Sequence, residues 1–192
     1  VPFRARTLGA DLISVSAHKV HGIKGAGALY IRPGLSLPPF VLGGGQESGL
    51  RSGTEGLPAI AAFAAACRAA LPKRTESIAR QRHLLAQAQE LLRAIDGVQL
   101  LGAQEAPHIL NLAVPGVRSQ GLINALQERD IYVSAGSACS KGAASHTLTA
   151  MGLPQRRIDT ALRISFCGDN GPEDVDALLN GLEDGFRSLT HI

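Results

Sequence analysis

The feature that most constrains the fold is the alternation, after Gly97, of short apolar runs with segments that carry one apolar face. The short runs are VQLLG, HILNLAV, IYVSAG and TALRISF, and the segments over SQGLINALQERD and near SHTLTAMG have helical spacing. A last helix is indicated by Pro172 at its first position, acidic residues in its first turn and apolar residues along one face. Strands that alternate with helices predict an α/β or α+β domain.

The first half of the chain has a different pattern. Short apolar runs separated by glycines, ADLISVSA, GIKGAGALYI and FVLGGG, predict strands joined by tight turns. Helical spacing begins only after Pro58, and Pro72 is expected to end or kink a first helix. A second helix is predicted from an N-cap at Thr75 to Gly97. Its apolar stripe comprises Ile78, Leu84, Leu85, Ala88, Leu91, Leu92 and Ile95.

The composition excludes several classes of protein. The 19 Lys and Arg residues exceed the 16 Asp and Glu residues by only three, which is too small an excess to indicate nucleic-acid binding. No apolar run approaches the roughly 20 residues that span a bilayer, and residues 1–12 lack the pattern of a secretory signal. Three widely spaced cysteines fit a reducing compartment better than a disulfide framework. We therefore expect a cytoplasmic protein with no membrane partner.

A polar cluster, SAHK, lies at residues 16–19, after an apolar run and before a glycine-rich turn. A lysine at a strand end is well placed to form a Schiff base with an aldehyde cofactor. Ser16 and His18 offer hydrogen-bond donors to a phosphate group. From these residues alone, Lys19 can also be an ordinary surface lysine in a turn. GIKGAG and GGGQE match neither a Walker loop nor a dinucleotide fingerprint, because no helical pattern follows directly.

Cys139 lies in VSAGSACSKGAASH, a small, polar segment that contains glycine. Such a loop is expected to be accessible and mobile, so that the thiol can attack sulfur or carbon as a thiolate, a form that Lys141 or His146 can favour. An unreactive loop cysteine is the alternative. Cys67 and Cys167 lie in apolar runs and are expected to be packing residues. A zinc site with Cys139 and His146 lacks the close ligand pairs that would complete it.

Arg163 lies within the apolar run ALRISF, where a buried guanidinium needs an anionic partner. Its planar fork suits a carboxylate, although a solvent-facing arginine or a pair with Asp159 would give the same sequence. Thr54, in GLRSGT, could meet a phosphate or lie in an ordinary polar loop. For His108 and Asn111, in HILNL, ordinary hydrogen bonding within a strand is the preferred interpretation.

Taken together in this order, the segments DLISVSAHKVHGIKGAGALYIR, GGGQESGLRSGTEG, HILNLAVPGV, IYVSAGSACSKG and LRISF resemble the cysteine desulfurases, which are class V members of the fold type I pyridoxal-phosphate enzymes. The resemblance extends over essentially the whole chain. It implies an α/β fold that is the C-terminal part of a fold type I transferase. Residues 1–56 would end the cofactor-binding large domain, 57–95 would form a helical connector, and 96–192 would form a small C-terminal α/β domain.

The resemblance implies pyridoxal phosphate as the cofactor. Lys19 would carry the internal aldimine and later act as the base for the substrate's alpha proton. Ser16 and His18 would hold the cofactor phosphate. Thr54 would reach the phosphate of the neighbouring subunit in a homodimer.

The resemblance further implies that the substrate is free L-cysteine. Arg163 would bind the substrate carboxylate, and Cys139 would accept the sulfur as a persulfide, leaving L-alanine. The loop around Cys139 resembles the branch that serves iron-sulfur assembly and tRNA thiolation. The implied partner is therefore a sulfur-acceptor protein, either an iron-sulfur scaffold or a tRNA thiolation enzyme, and no direct nucleic-acid contact or metal ion is implied.

The chain also departs from the family pattern. The family places the carboxylate for the pyridine nitrogen, a ring-stacking histidine and a phosphate loop upstream of the Schiff-base lysine, whereas only 18 residues precede Lys19 and Asp11 is too close to it. We therefore expect that the N-terminal half is lacking and that the chain alone is inactive. Ile23 stands where GPKG is usual, and Gly56 where asparagine is common. The alternatives are a non-catalytic remnant that acts as a binding or interaction domain, or another class V enzyme such as a selenocysteine lyase or an aminotransferase.

Overall fold

The computed structural model describes residues 4–114, 116–136 and 145–189. The chain forms two compact units, Val1–Thr75 and Glu76–Ile192. The division between them falls within the long helix α2, Leu57–Arg93. The domain boundaries after residues 56 and 95 that the resemblance implies remain predictions. None of the helices that the structure describes is long and apolar enough to cross a bilayer.

The first unit is built on an antiparallel hairpin. After the short helix α1, Ala5–Leu8, strand β1, Leu12–Ser16, pairs with β2, Gly27–Ile31. A 3-10 turn, Ala17–Val20, follows β1, and a second 3-10 turn spans Glu47–Gly49. A Cβ on Gly27 would lie 2.5 Å from the Val15 carbonyl oxygen, so that only glycine fits at the start of β2.

The prediction of a strand over FVLGGG is wrong. Val41 forms only an isolated bridge with Arg51. Two of the three glycines that follow, Gly43 and Gly45, have positive φ angles of 149° and 82°, which take the backbone out of an extended conformation.

Helix α2 is continuous, which corrects the prediction that Pro72 ends or kinks a first helix and that Thr75 caps a second. Both residues lie inside the helix. An interior proline costs about 3 kcal/mol, but alanine, leucine, arginine and glutamine, which are strong helix formers, flank it on both sides. In the second unit, the burial of Leu84, Leu85, Ala88 and Leu92 confirms most of the predicted apolar stripe, whereas Leu91, also predicted to belong to it, is 38% exposed.

The second unit contains an antiparallel sheet in the order β3-β4-β5. The strands are Gln99–Leu100, Ile109–Ala113 and Ala161–Ser165. The helices are α3, Ser119–Gln127, α4, His146–Ala150, α5, Gln155–Ile158, and α6, Pro172–Ser188. The structure thus confirms a mixed helix and sheet architecture and the predicted last helix with Pro172 at its start.

The predicted strand over IYVSAG is wrong as well, because it forms only one isolated bridge, between Ser134 and Arg163. The Ser134 hydroxyl donates to the Gly136 carbonyl and accepts from the Gly136 N–H at 3.2 Å. These local bonds compete with strand pairing beyond Ser134.

The sheet has one face in the main core and one open face. Even-numbered residues of β4 and β5, such as Leu110, Leu112 and Leu162, are buried in the main core with residues of α2, α3 and α6. Odd-numbered residues, which include Asn111 and Arg163, lie on the opposite face. We call this second surface the open face. It is only partly covered, by a smaller cluster of Leu101, Ala113, Leu148, Ile158 and Ala161.

Candidate active site

The open face carries a cleft of about 400 Å³. Its base is formed by Asn111 of β4 and Arg163 of β5, which lie opposite each other in the strand register. Its rim comes from the loop between β3 and β4, from residues 135–136, and from the start of α4 at His146. The fold therefore brings distant parts of the sequence together around one guanidinium group.

The position of Arg163 is fixed by its backbone. Its N–H donates to the Ser134 carbonyl at 2.6 Å, and its carbonyl accepts from the Ser134 N–H at 3.2 Å. Its Nε is buried and has no hydrogen-bond partner among the described residues. Leaving such a group unpaired costs about 1–3 kcal/mol. The geometry therefore favours an anion, such as a carboxylate, in the cleft.

The alternative pairing of Arg163 with Asp159 is not observed. Asp159 instead accepts a hydrogen bond from the Gln155 side chain at 2.7 Å. Within residues 4–114, 116–136 and 145–189, the ion pairs that form do not include Arg163. The guanidinium is therefore not neutralised by a carboxylate of the described chain.

Ser16, His18 and Lys19, which we call the Lys19 cluster, lie in the first unit where β1 passes into the Ala17–Val20 turn. All three are exposed, whereas Ala17 is fully buried and anchors the turn. The Gly22 N–H closes the turn by donating to the Ala17 carbonyl at 2.9 Å. The structure thus places a hydroxyl, an imidazole and an amine within four residues, a donor set that fits a phosphate and an aldehyde.

Thr54 lines a separate cleft of about 350 Å³ in the first unit, together with Gly25, Gly27 and Arg51. The lining of this cleft does not include the Lys19 cluster. This cleft therefore does not bring Thr54 together with that cluster. The resemblance assigns Thr54 to the neighbouring subunit's cofactor, and this role remains a prediction.

Cys139 lies outside the described residues, as does Lys141. Cys67 and Cys167 are half-buried free cysteines. The described parts of the chain contain no group of three or more His, Cys, Asp or Glu side chains placed to hold a metal ion.

Sequence reasoning missed two cleft residues. Asn111 was interpreted as an ordinary strand residue, and Gln104 belongs to no motif. Only a pairing between the strands predicted over HILNLAV and TALRISF, which was not predicted from the sequence, could have placed Asn111 opposite Arg163. The neighbouring His108 is half-buried, and this burial lowers its pKa. Its carbonyl accepts from the Phe166 N–H at 2.9 Å, which agrees with ordinary strand hydrogen bonding.

Known proteins are similar to this chain in sequence and in fold. A protein from Lactobacillus delbrueckii subsp. bulgaricus, described as a NifS/IcsS protein homolog, is 38% identical over 97% of this chain and 50% of its own length. A cysteine desulfurase IscS 1 from Archaeoglobus fulgidus is 35% identical over 95% of this chain and 50% of its own. A solved structure of a NifS-like protein is 36% identical, with a TM-score of 0.85 over 98% of this chain and 50% of that one.

The chain therefore spans about half the length of these relatives, and it has the mixed helix and sheet fold of the corresponding half. The family model for the class-V aminotransferases matches residues 1–178, which is most of the sequence. The chain belongs to the class-V aminotransferase family, and within it resembles the cysteine desulfurases.

Proposed function

We propose that this chain is the C-terminal part of a pyridoxal-phosphate-dependent cysteine desulfurase, which removes sulfur from L-cysteine and leaves L-alanine. The observation that carries the proposal is the buried, unpartnered Nε of Arg163 at the base of a cleft. An amino-acid carboxylate supplies the anion that this group lacks. The similarity to proteins named cysteine desulfurases supports the choice of substrate.

The Lys19 cluster fits pyridoxal phosphate in its chemistry. The Lys19 amine would hold the cofactor aldehyde, and the Ser16 hydroxyl and His18 imidazole would donate to the phosphate. Thr54 of a second subunit would add another donor in a homodimer. When bound, the cofactor withdraws electrons from the substrate's alpha carbon. Once the Lys19 amine is free, it can take up the alpha proton as a general base.

Cys139 is the proposed sulfur acceptor. Its thiolate would form an S–S bond with the substrate sulfur while the substrate C–S bond breaks, and the former Cβ gains a proton to complete alanine. Arg163 would orient the substrate by its carboxylate throughout. The resulting persulfide is a reversible carrier from which an acceptor protein, for iron-sulfur cluster or thiolated tRNA synthesis, would take the sulfur in the cytoplasm.

The test is reconstitution with the half of the Lactobacillus relative that this chain does not cover, expressed as a separate chain. With pyridoxal phosphate and L-cysteine, the mixture should release alanine, and Lys19→Ala should abolish this release. Lys24→Ala is the matched control, because Lys24 is an exposed lysine in the glycine-rich turn that follows. A folded complex that releases no alanine would overturn the proposal and favour a non-catalytic binding role.

Transamination and selenocysteine cleavage are separated in the same assay. A plain aminotransferase would convert its amino acid to a keto acid and would not need Cys139. A selenocysteine lyase would release alanine from selenocysteine in large preference to cysteine. Alanine release from cysteine that is lost in Cys139→Ser supports the desulfurase.

A further inference from the structure

We propose that Gln104 is a positioning residue for Arg163: its side-chain amide fixes the edge of β4 and thereby the cleft in which Arg163 meets a carboxylate. The inference rests on the proposed function, since it concerns the same carboxylate site. Gln104 lies outside the sequence segments that carry the family resemblance. Three sets of contacts support the proposal.

The first is that the amide of Gln104 replaces a backbone hydrogen bond of the sheet. The register Gln99–Ala113 and Leu100–Leu112 places Leu101 opposite Asn111. The Leu101 N–H donates to the Asn111 carbonyl at 2.8 Å, as expected for this pair. The return bond, from the Asn111 N–H to the Leu101 carbonyl, is absent in the described structure. The amide of Gln104 stands between these two groups.

Both ends of the amide are used. The Asn111 N–H donates to Gln104 Oε1 at 3.2 Å. Gln104 Nε2 donates to the Leu101 carbonyl and, at 3.0 Å, to the Asn111 carbonyl. A side chain with one acceptor and two donors can satisfy all three backbone groups, which an apolar side chain cannot. The amide therefore ends the β3-β4 pairing without leaving backbone groups unpaired.

The second set of contacts concerns the loop. Gln104 has a φ of 53°, and Gly102 has a φ of 79°, so that the chain turns sharply away from β3. Residues 102–106 then form part of the cleft rim. A non-glycine residue in the left-handed region is strained, and this conformation persists only where the surroundings hold it. The three hydrogen bonds of the Gln104 side-chain amide supply that restraint.

The third is the strand register, which connects Gln104 to Arg163 through Asn111. Bonds from the Phe166 N–H to the His108 carbonyl and from the Val114 N–H to the Thr160 carbonyl flank the β4-β5 ladder. By alternation, Asn111 and Arg163 form a non-hydrogen-bonded pair, in which the side chains approach most closely. The amide of Gln104 holds the backbone of Asn111 from the β3 side, and Asn111 lies directly opposite Arg163 in the register with β5.

The neutrality of Gln104 also fits this role. A carboxylate at position 104 could accept from Asn111 but could not donate to the two carbonyls, and it would place a negative charge in the cleft with Arg163. The amide fixes the strand edge and leaves the guanidinium free for an external anion. Gln104 thus adds a positioning residue to the carboxylate site and does not add a reacting group.

The test uses the full chain and propionate, a simple carboxylate, as the probe. Propionate is titrated while the Nε–H resonance of Arg163 is followed by NMR, and Arg163→Lys identifies the signal. In Gln104→Met, which keeps the side-chain length and removes the amide, propionate affinity should fall about tenfold, which corresponds to about 1.4 kcal/mol of binding free energy. Gln120→Met is the matched control, because Gln120 donates to Asn124 at 2.9 Å on the exposed side of α3 and does not line the cleft.

If Gln104 had a purely structural role, Gln104→Met would lower the unfolding temperature but leave the Arg163 resonance and the propionate affinity unchanged. This result would overturn the proposal. If Gln104→Met does not fold, Gln104→Asn replaces it in the same assay. The shorter amide of this variant cannot bridge both strands, so its propionate affinity should fall in the same way. If the wild-type chain does not bind propionate, the carboxylate site of the proposed function is refuted. The Gln104 proposal is then judged by the resonance of unliganded Arg163, which should shift in Gln104→Met and not in Gln120→Met.

Discussion

Asn111 and Arg163 lie directly opposite each other on antiparallel strands, and both side chains line the cleft on the open face of the sheet. Their strand neighbours at even-numbered positions are buried in the main core. The two-residue period of the strands thus separates a packing face from a binding face. This separation lets substitutions at the cleft be tested without disturbing the core.

Arg163→Met should leave the free energy of unfolding unchanged or raise it by about 1 kcal/mol. Methionine covers the same apolar surface as the arginine stem but does not bury an unpaired N–H. Urea denaturation measures the change. The control is Arg187→Met, since Arg187 is 75% exposed in a 3.4 Å ion pair with Glu183 and should change stability by less than about 0.5 kcal/mol. A loss of more than about 2 kcal/mol in Arg163→Met would mean that Arg163 serves the fold instead of a ligand.

Gly181→Ala should destabilise the second unit by about 1–3 kcal/mol. A Cβ on Gly181 of α6 would lie 2.7 Å from Leu126 Cδ2 and 3.1 Å from Ile131 Cδ1, so that the fully buried Leu126 side chain must shift or the contact between α6 and α3 must widen. The matched control is Gly121→Ala in α3, where the new Cβ would lie 3.5 Å from Leu189. That variant should gain about 0.5–1 kcal/mol from helix propensity. Equal effects in the two variants would contradict the close helix packing.

Asp174 should make stability depend on pH in the acid range. Hydrogen bonds from the Asn170 side chain and from the Gly171 N–H lower the pKa of its carboxyl group. Because the folded-state pKa lies below the unfolded one, its contribution is present above the ordinary value of 3.8 and is lost as the pH falls through the lowered value. The difference in unfolding free energy between wild type and Asp174→Ala should therefore shrink towards zero with acidification. Asn170→Ala, which removes the side-chain donor to Asp174, should weaken this pH dependence.

Lys19 should react with pyridoxal phosphate in preference to the other exposed lysines. Ser16 and His18 would hold the phosphate beside the Lys19 amine and raise its effective concentration there. Borohydride reduction followed by peptide mapping should find the label mainly at Lys19, with less at Lys24, which is also exposed. Ser16→Ala should reduce the label at Lys19 and leave that at Lys24 unchanged. Equal labelling of both lysines would contradict the assignment of the Lys19 cluster.

The sequence predicted the elements whose patterns are local. Pro172 and the apolar face behind it marked α6, and the runs around Ile13, Leu29 and Leu110 marked β1, β2 and β4. The predicted break at Pro72 was wrong, because the helix-forming residues on both sides outweighed this local helix-breaking signal. The strand predicted over residues 131–136 was wrong. Its apolar residues follow a strand pattern, but the hydroxyl of Ser134 forms hydrogen bonds with the backbone of Gly136.

The candidate site was predictable only in part. Arg163 could be identified as an arginine in an apolar strand, but the absence of a partner for its Nε among the described residues is visible only in the structure. Gln104 could not be identified, because its role depends on a side chain that replaces a backbone bond between Leu101 and Asn111. A side chain that takes the place of a backbone hydrogen bond produces no periodic pattern in the sequence.

The most direct test of desulfuration is the mass of the peptide that contains Cys139, measured after the reconstituted complex has reacted with L-cysteine. The peptide should gain the mass of one sulfur atom, and Lys19→Ala should prevent this gain. In wild type, treatment with a reducing thiol should remove the added sulfur. A folded complex that binds pyridoxal phosphate and L-cysteine but leaves the Cys139 peptide unchanged would contradict the proposed function.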